Sequence, residues 1–262
     1  TLSDTIDSIE QRTSGRIGVS VLDSNDQQWN YKGNERFPMM STFKTLACAK
    51  MLHDSDRDIL DTNIMAPVKS DELITWSPIT KNMVGGSITL EGACEATMKT
   101  SDNTAANIVL QHIGGPQGVT EFLRFTGDEV TQLDRFEPEL NQAKADDRRD
   151  TTTPNAMNKT LRHILLEDVL NPDSKKQLKE WMQGNTVSDS LLRSVLPQGW
   201  SIADRSGAGA NGSRGITAVI WNNEREPLII SIYLTQTNLS MPKRNQAINE
   251  IGKAIFEKYA VK

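Results

Sequence analysis

No stretch of the 262-residue chain approaches the roughly 18 to 20 consecutive apolar residues that a membrane-spanning helix requires, so a soluble protein without a membrane partner is expected. Blocks of like charge are missing as well. The 29 Lys and Arg and 34 Asp and Glu are mixed along the chain and leave a net charge of -5, so no phosphate-tracking surface is advertised and nucleic acid is not an expected partner. Histidine is scarce. His53, His112 and His163 stand far apart, without the paired spacing of a metal site, which argues against a metallo-hydrolase. No G-x-S-x-G elbow occurs, which argues against an α/β-hydrolase arrangement. The opening "TLSDTIDSIE" lacks an initiator Met, a basic n-region and an apolar h-region, so an export signal is expected to have been removed or never present.

Cysteine occurs only at Cys48 and Cys94, both in stretches of helical pattern. Two readings stand: a pair of small buried thiols, or a disulfide. A disulfide there would close a long loop, contribute about 4 kcal/mol on the chain-entropy account and suit an oxidising compartment.

What is present suffices for a buried core: 37% hydrophobic and 24% charged residues over a length that allows two interlocked subdomains. An N-terminal helix is predicted from Ser3 to a stop at Gly15, followed by a hairpin of "RIGVSVLD" and "QQWNYK". From about Ser41 to Gly184 the pattern turns helical: 41–53, 90–99, 104–112, 118–126, 155–165 and 172–183. Three strand-like runs follow, "WSIADRSGA", "RGITAVIWN" and "PLIISIYLTQT", joined by links too short for a parallel crossover and hence antiparallel. The amphipathic run from Met241 closes the chain and, with the first helix, is expected to cover one face of the sheet. The fold class is α+β, with residues 1–33 and 185–262 forming one subdomain and 34–184 a helical one. Residues 131–154 fit neither pattern. That stretch is long, charged and poor in core residues, as functional loops are, and Arg135 and Asp150 suit a clamp across its ends.

The chemistry starts from an anomaly in "STFK". Ser41 suits a helix N-cap, after which a carboxylate or amide is favoured three residues on, yet Lys44 stands there, a cation facing the positive end of the helix dipole. Positions three apart share a helix face, so hydroxyl and amine can lie within hydrogen-bond reach and the amine can take the hydroxyl proton. A capped helix with a solvated lysine is the bland alternative. A second motif, "SDN" at Ser101–Asn103, opens a helix and taken alone is a common N-cap. The third, "DRSGAG" from Asp204, ends a strand. Gly207, Gly209 and Gly212 match G-x-G-x-x-G, but a β-prone run follows where a dinucleotide site needs a helix, so no nucleotide cofactor is expected.

S-x-x-K, S-D-N and a basic residue followed by Ser/Thr-Gly, in this order, form the joint signature of class A β-lactamases and penicillin-binding proteins. With "RFEPELN" at Arg135–Asn141, which resembles the omega loop of class A serine β-lactamases (here residues 132–150), the resemblance covers essentially the whole chain. It implies the β-lactamase/transpeptidase-like fold, a five-stranded antiparallel sheet flanked by the terminal helices plus an all-helical subdomain. It also implies a monomer, periplasmic or secreted, without cofactor, acting on small β-lactams and conferring antibiotic resistance.

By resemblance, Ser41 is the nucleophile, Ser101 relays a proton to the leaving nitrogen, and the amides of Ser41 and Ala208 form the oxyanion hole. Lys44 or Glu137 through a water takes the proton of Ser41. Glu137 and Asn141, four apart, would hold the deacylating water. Arg205-Ser206-Gly207 and Arg214 would meet the substrate carboxylate, Asn103 the acylamino group, and Trp76 would stand at the cleft mouth, with a core tryptophan as its alternative. Most relatives carry lysine at Arg205; arginine resembles the carbenicillin-hydrolysing subgroup, and its planar fork suits a two-bond grip on a carboxylate. Met40 and Gly209 stand where carbapenemases commonly carry linked cysteines, so broad carbapenem turnover is not expected. Gly209 also matches the narrow-spectrum pattern, so bulky oxyimino-cephalosporins should be poor substrates. Two rivals remain, a penicillin-binding peptidase and a β-lactam sensor domain, and Glu137 argues against both.

Overall fold

A computed structural model describes all residues, Thr1–Lys262. The chain begins with α1 (Leu2–Thr13), then β1 (Arg16–Leu22), β2 (Gln28–Tyr31) and the short β3 (Phe37–Pro38). The helical part holds α2 (Phe43–Asp56), α3 (Leu90–Thr100), α4 (Asn103–His112), α5 (Gly115–Phe125), α6 (Pro154–Leu166) and α7 (Pro172–Gln183), with β4 (Met65–Pro67), β5 (Ser87–Thr89) and β6 (Thr151–Thr152) between them. It closes with β7 (Ser201–Gly209), β8 (Ser213–Trp221), β9 (Leu228–Thr235) and α8 (Met241–Lys258).

Five strands form one antiparallel sheet in the order β2-β1-β9-β8-β7, which leaves β7 as an edge. Alternation along each strand sends side chains to opposite faces. Ile216, Ala218 and Ile220 of β8 therefore pack with Ile6, Ile9, Ile251 and Ile255 of α1 and α8, while Val219 joins the helical core on the other side. That second core surrounds α2, which is buried all round rather than along one stripe, as the central helix of a bundle must be. No helix is long and apolar enough to cross a membrane.

Several features differ from the sequence expectation, among them α5, which begins at Gly115 rather than 118, and α2, which runs on to Asp56. Helix α1 is capped by Thr1 with Asp4 in a reciprocal capping box, not by Ser3, and ends at Ser14 in the left-handed region. Gly15 serves close packing instead: a Cβ there would fall 2.2 Å from Thr237 Cγ2. The two-stranded pairs β3-β6 and β4-β5 were not predicted, being too short to show a period. Ser41 caps nothing. It lies in a 3₁₀ turn, Met40–Thr42, that leads into α2 without a side-chain cap.

Candidate active site

Lys44 is not solvated. Its side chain is wholly buried, and Nζ donates to Ser101 O at 2.9 Å, Ser101 Oγ at 2.8 Å and Asn103 Oδ1 at 2.8 Å, with Glu137 Oε1 at 3.7 Å. These three bonds match the three donors of an ammonium, so the expected bond from Lys44 to Ser41 is not among them; Ser41 Oγ has no hydrogen-bond partner in the protein. Burial pushes the amine down to about 7, helped by Arg205 and opposed by the Glu137 charge.

"SDN" divides its labour. Asp102 caps α4 through Ala105 N and also accepts from Ile79 N, Thr80 N and Thr80 Oγ1, while Ser101 and Asn103 on either side turn to Lys44. Ser101 adopts the left-handed region, φ 63°, at the end of α3, which aims its carbonyl and hydroxyl at the same amine. Asn103 Nδ2 donates to Thr75 O, leaving one N–H and one lone pair for a ligand.

The omega loop is pinned at its base. Arg135 Nε donates to Asp150 Oδ2 at 2.7 Å, Asp150 Oδ1 accepts from the amides of Asp134 and Arg135, and Asp150 O accepts from Met39 N, two residues before the serine. A short helical turn at Glu139–Asn141 then sets Asn141 Nδ2 2.6 Å from Glu137 Oε2. Asn107, missed from sequence, grips the backbone of Glu137 at two points, accepting from N at 2.9 Å and donating to O at 3.0 Å. Its signal was present: an asparagine in a helix interior competes with the helix for backbone groups and is retained there for a reason. Burial raises the carboxyl of Glu137, against the Lys44 charge and the Asn141 bond. Glu137 Oε1 and Asn141 Oδ1 are both buried without a hydrogen-bond partner.

Strand β7 runs along the turn that carries Ser41. A Cβ at Gly207 would come 2.7 Å from Ser41 N, so this approach calls for glycine, while one at Gly209 would sit tightly, 3.2 Å from Met40 Cγ, and Met40 and Gly209 do face each other. Arg205 is fully buried, its Nη1 on Met98 O and Nη2 on Ser101 Oγ, both at 2.8 Å. Two of its five N–H groups are thereby held by the protein, each terminal nitrogen keeps one more, and Nε has no partner. Arg214 donates from Nη1 to Gly207 O and from Nε to Asn245 Oδ1. Neither arginine has a carboxylate ion-pair partner, and burial lowers each to about 10, which leaves both cationic at neutral pH. Ser206 lies between them in sequence. Trp76 is 55% exposed with Nε1 on Thr100 O, which rules out the core alternative.

The other sequence candidates lie away from this cluster. Cys48 and Cys94 form a disulfide between α2 and α3. His53 packs against Phe122 and Phe125, His112 bonds Ile108 O, and His163 pairs with Glu167. A cavity of about 440 Å³ beside the omega loop, lined by Arg16, Arg36, Arg135, Lys144, Arg148 and other polar groups, holds none of the reactive side chains.

Lys44, Ser101, Asn103 and Glu137 thus meet between the helical core and the edge strand that runs against the Ser41 turn, with Arg205 bonded to the same Ser101 hydroxyl. A family model described as the Beta-lactamase enzyme family matches residues 1–259. β-Lactamases CARB-3 and PSE-4 of Pseudomonas aeruginosa are each 54% identical to the chain over 255 residues, spanning 97% of it and 88% of each relative. The chromosome-encoded β-lactamase of Vibrio parahaemolyticus has a TM-score of 0.98 at 56% identity, covering 100% of both chains. An ancestral Gram-negative class A β-lactamase has a TM-score of 0.96 at 43% identity, covering 98% of this chain and 100% of that one. With its sequence matched from end to end and its fold superposed on solved members, the chain belongs to the β-lactamase enzyme family, in its class A branch.

Proposed function

We propose that this chain hydrolyses the amide of penicillins, carboxypenicillins among them, and of some early cephalosporins, through an acyl-enzyme on Ser41, and so confers antibiotic resistance. The observation that carries this is the pair of orphaned buried acceptors, Glu137 Oε1 and Asn141 Oδ1. A water has two protons, and donating one to each acceptor would orient its lone pairs for attack while Glu137 draws off a proton. A peptidase or sensor that keeps its acyl group has no use for such a cradle.

Acylation would run as follows. An amine held near 7 is neutral in a substantial fraction of molecules at pH 7, and the neutral form releases one of its three bonds and gains a lone pair for the Ser41 proton. Ser101 Oγ, already accepting from Lys44 and Arg205, has its own proton to pass to the lactam nitrogen. The amides of Ser41 and Ala208 would bind the developing oxyanion, each such donor typically worth about 3 kcal/mol. Arg214, Arg205 and Ser206 would receive the substrate carboxylate, with Asn103 at the acylamino group and Trp76 at the mouth. The Cys48–Cys94 disulfide supports a periplasmic or secreted location. Met40 and Gly209 support a narrow spectrum without broad carbapenem turnover or efficient attack on bulky oxyimino-cephalosporins.

A chromogenic cephalosporin tests the reading: many turnovers per molecule are expected, whereas one equivalent consumed and then silence would sink it. Arg205 bears on the carboxypenicillins. A lysine at that buried place, beside Lys44, would be driven toward neutrality as Lys44 is, and a substrate with two negative charges loses more from a missing cation than a substrate with one. Arg205→Lys is therefore expected to lower the ratio of kcat/KM for a carboxypenicillin to that for benzylpenicillin several-fold, about 1 kcal/mol of discrimination; an unchanged ratio removes this basis.

The deacylation rate should fall as pH drops through the titration of Glu137, because only the ionised carboxylate accepts a proton. Burial places that limb above the ordinary 4.5, and Asn141→Ala, which deletes a bond favouring the charged form, should move it higher still. Single-turnover deacylation against pH measures both, and a limb left in place by Asn141→Ala would contradict the role given to that bond.

A further inference from the structure

Ser206 Oγ lies 2.6 Å from Ser188 Oγ, a contact in which the distance alone does not say which hydroxyl donates. Its surroundings do. Val187 N donates to Asn185 Oδ1 at 3.0 Å, which fixes the orientation of the Asn185 amide. Asn185 Nδ2 therefore points the other way and donates to Ser188 Oγ at 2.8 Å and to Asp204 O at 3.0 Å. Ser188 is 0% exposed and Asn185 2%, so water has no access to rescue an unmade bond. Ser188 Oγ already accepts from an amide that can only donate, and the one acceptor left for its own proton is Ser206 Oγ. Reversing the polarity would strand that proton in a fully buried place.

We infer that Ser188 is a positioning residue for the carboxylate subsite: it donates to Ser206 Oγ, so the Ser206 proton is left to point into the cleft as a donor to the substrate carboxylate. This rests on the function proposed above and adds a residue outside the three motifs. Ser206 Oγ has no other partner in the protein, and its strand borders the cleft, with Gly207 against Ser41 N. An unconstrained serine hydroxyl rotates and can present either a proton or a lone pair; a lone pair facing a carboxylate repels it. Fixing the direction removes the wrong half of those orientations before the ligand arrives. The sequence gives little hint of this, since "NTVSDS" reads as an ordinary turn after α7.

Ser188→Ala deletes the donor and leaves Ser206 free to turn. Expected for benzylpenicillin is a fall in kcat/KM of about 10-fold, in the range seen when a charge-assisted hydrogen bond is lost, with kcat, set by deacylation at Glu137, changed less than about 3-fold. Ser188→Thr, which keeps the hydroxyl, should restore kcat/KM to within about 2-fold of the original. Should the alanine variant lose its fold, as read by circular dichroism and Tm, Ser188→Val set against Ser188→Thr isolates the hydroxyl at equal shape, and the same ratio is expected. An unchanged kcat/KM in the folded alanine variant, a threonine variant no better than alanine, or a fall shared equally by kcat overturns the inference. The unsubstituted chain runs in the same assay: if it does not hydrolyse benzylpenicillin the functional reading fails, whereas turnover in it with no effect of Ser188→Ala defeats only the role of Ser188.

Discussion

Glu137→Gln is expected to turn a catalyst into a trap that consumes one equivalent of chromogenic cephalosporin and stops, with steady-state kcat lowered roughly 10²- to 10⁴-fold, the range for losing a general base. Mass spectrometry should show the acyl group retained on Ser41. The geometry gives the reason: glutamine keeps the size of the side chain and an acceptor for Asn141 Nδ2, but no longer accepts a proton from the water held between it and Asn141 Oδ1. The same variant addresses which group activates Ser41. The Glu137 charge holds the Lys44 amine up against its burial, so removing it lets Lys44 drop further and populates the neutral amine more fully at pH 7. A first-turnover burst as fast as in the unsubstituted protein then assigns the Ser41 proton to Lys44, and a burst slowed along with kcat assigns it to Glu137. Undiminished steady-state turnover would deprive Glu137 of its role altogether.

The reactive cluster was legible in the sequence where a residue broke a local rule. Lys44 stands where helix electrostatics disfavour it, and its wholly buried side chain shows that tertiary contacts with Ser101, Asn103 and Glu137 override that local cost. Glu137 and Asn141 came from the resemblance of "RFEPELN" to the omega loop, with their spacing of four in accord, and the Arg135–Asp150 clamp from opposite charges at the ends of a loop poor in core residues. What escaped is what long-range packing decides. Asn107 touches Glu137 across 30 positions, and Arg205 reaches Met98 O across 107, a contact that takes one N–H of the fork assigned to substrate. The five strands of the main sheet were readable as β-prone runs bounded by turn residues. Two-residue β3 and β6, whose pairing beside Asp150 sets the approach to Ser41, are too short to give such a run.

Ser41→Ala should be the more damaging change to activity and the gentler one to the fold. Loss of the nucleophile removes the acyl-enzyme route entirely, and a fall in kcat of roughly 10⁴-fold or more is expected, as for other serine hydrolases stripped of this group. No acyl adduct should form, which separates this variant from Glu137→Gln, where the adduct forms and persists. Yet the Ser41 hydroxyl has no hydrogen-bond partner in the protein and caps no helix, so its removal strands no buried group. Lys44 keeps its three bonds to Ser101 and Asn103, and the close approach of Gly207 to Ser41 N involves backbone that alanine retains. Tm should therefore move by no more than about 2 °C, a change of at most about 1 kcal/mol. Differential scanning calorimetry beside a kinetic assay decides it: a large loss of stability would mean that the hydroxyl holds the fold together through contacts absent from this structure, and residual turnover near the original would mean that the lactam carbonyl is attacked by some other group.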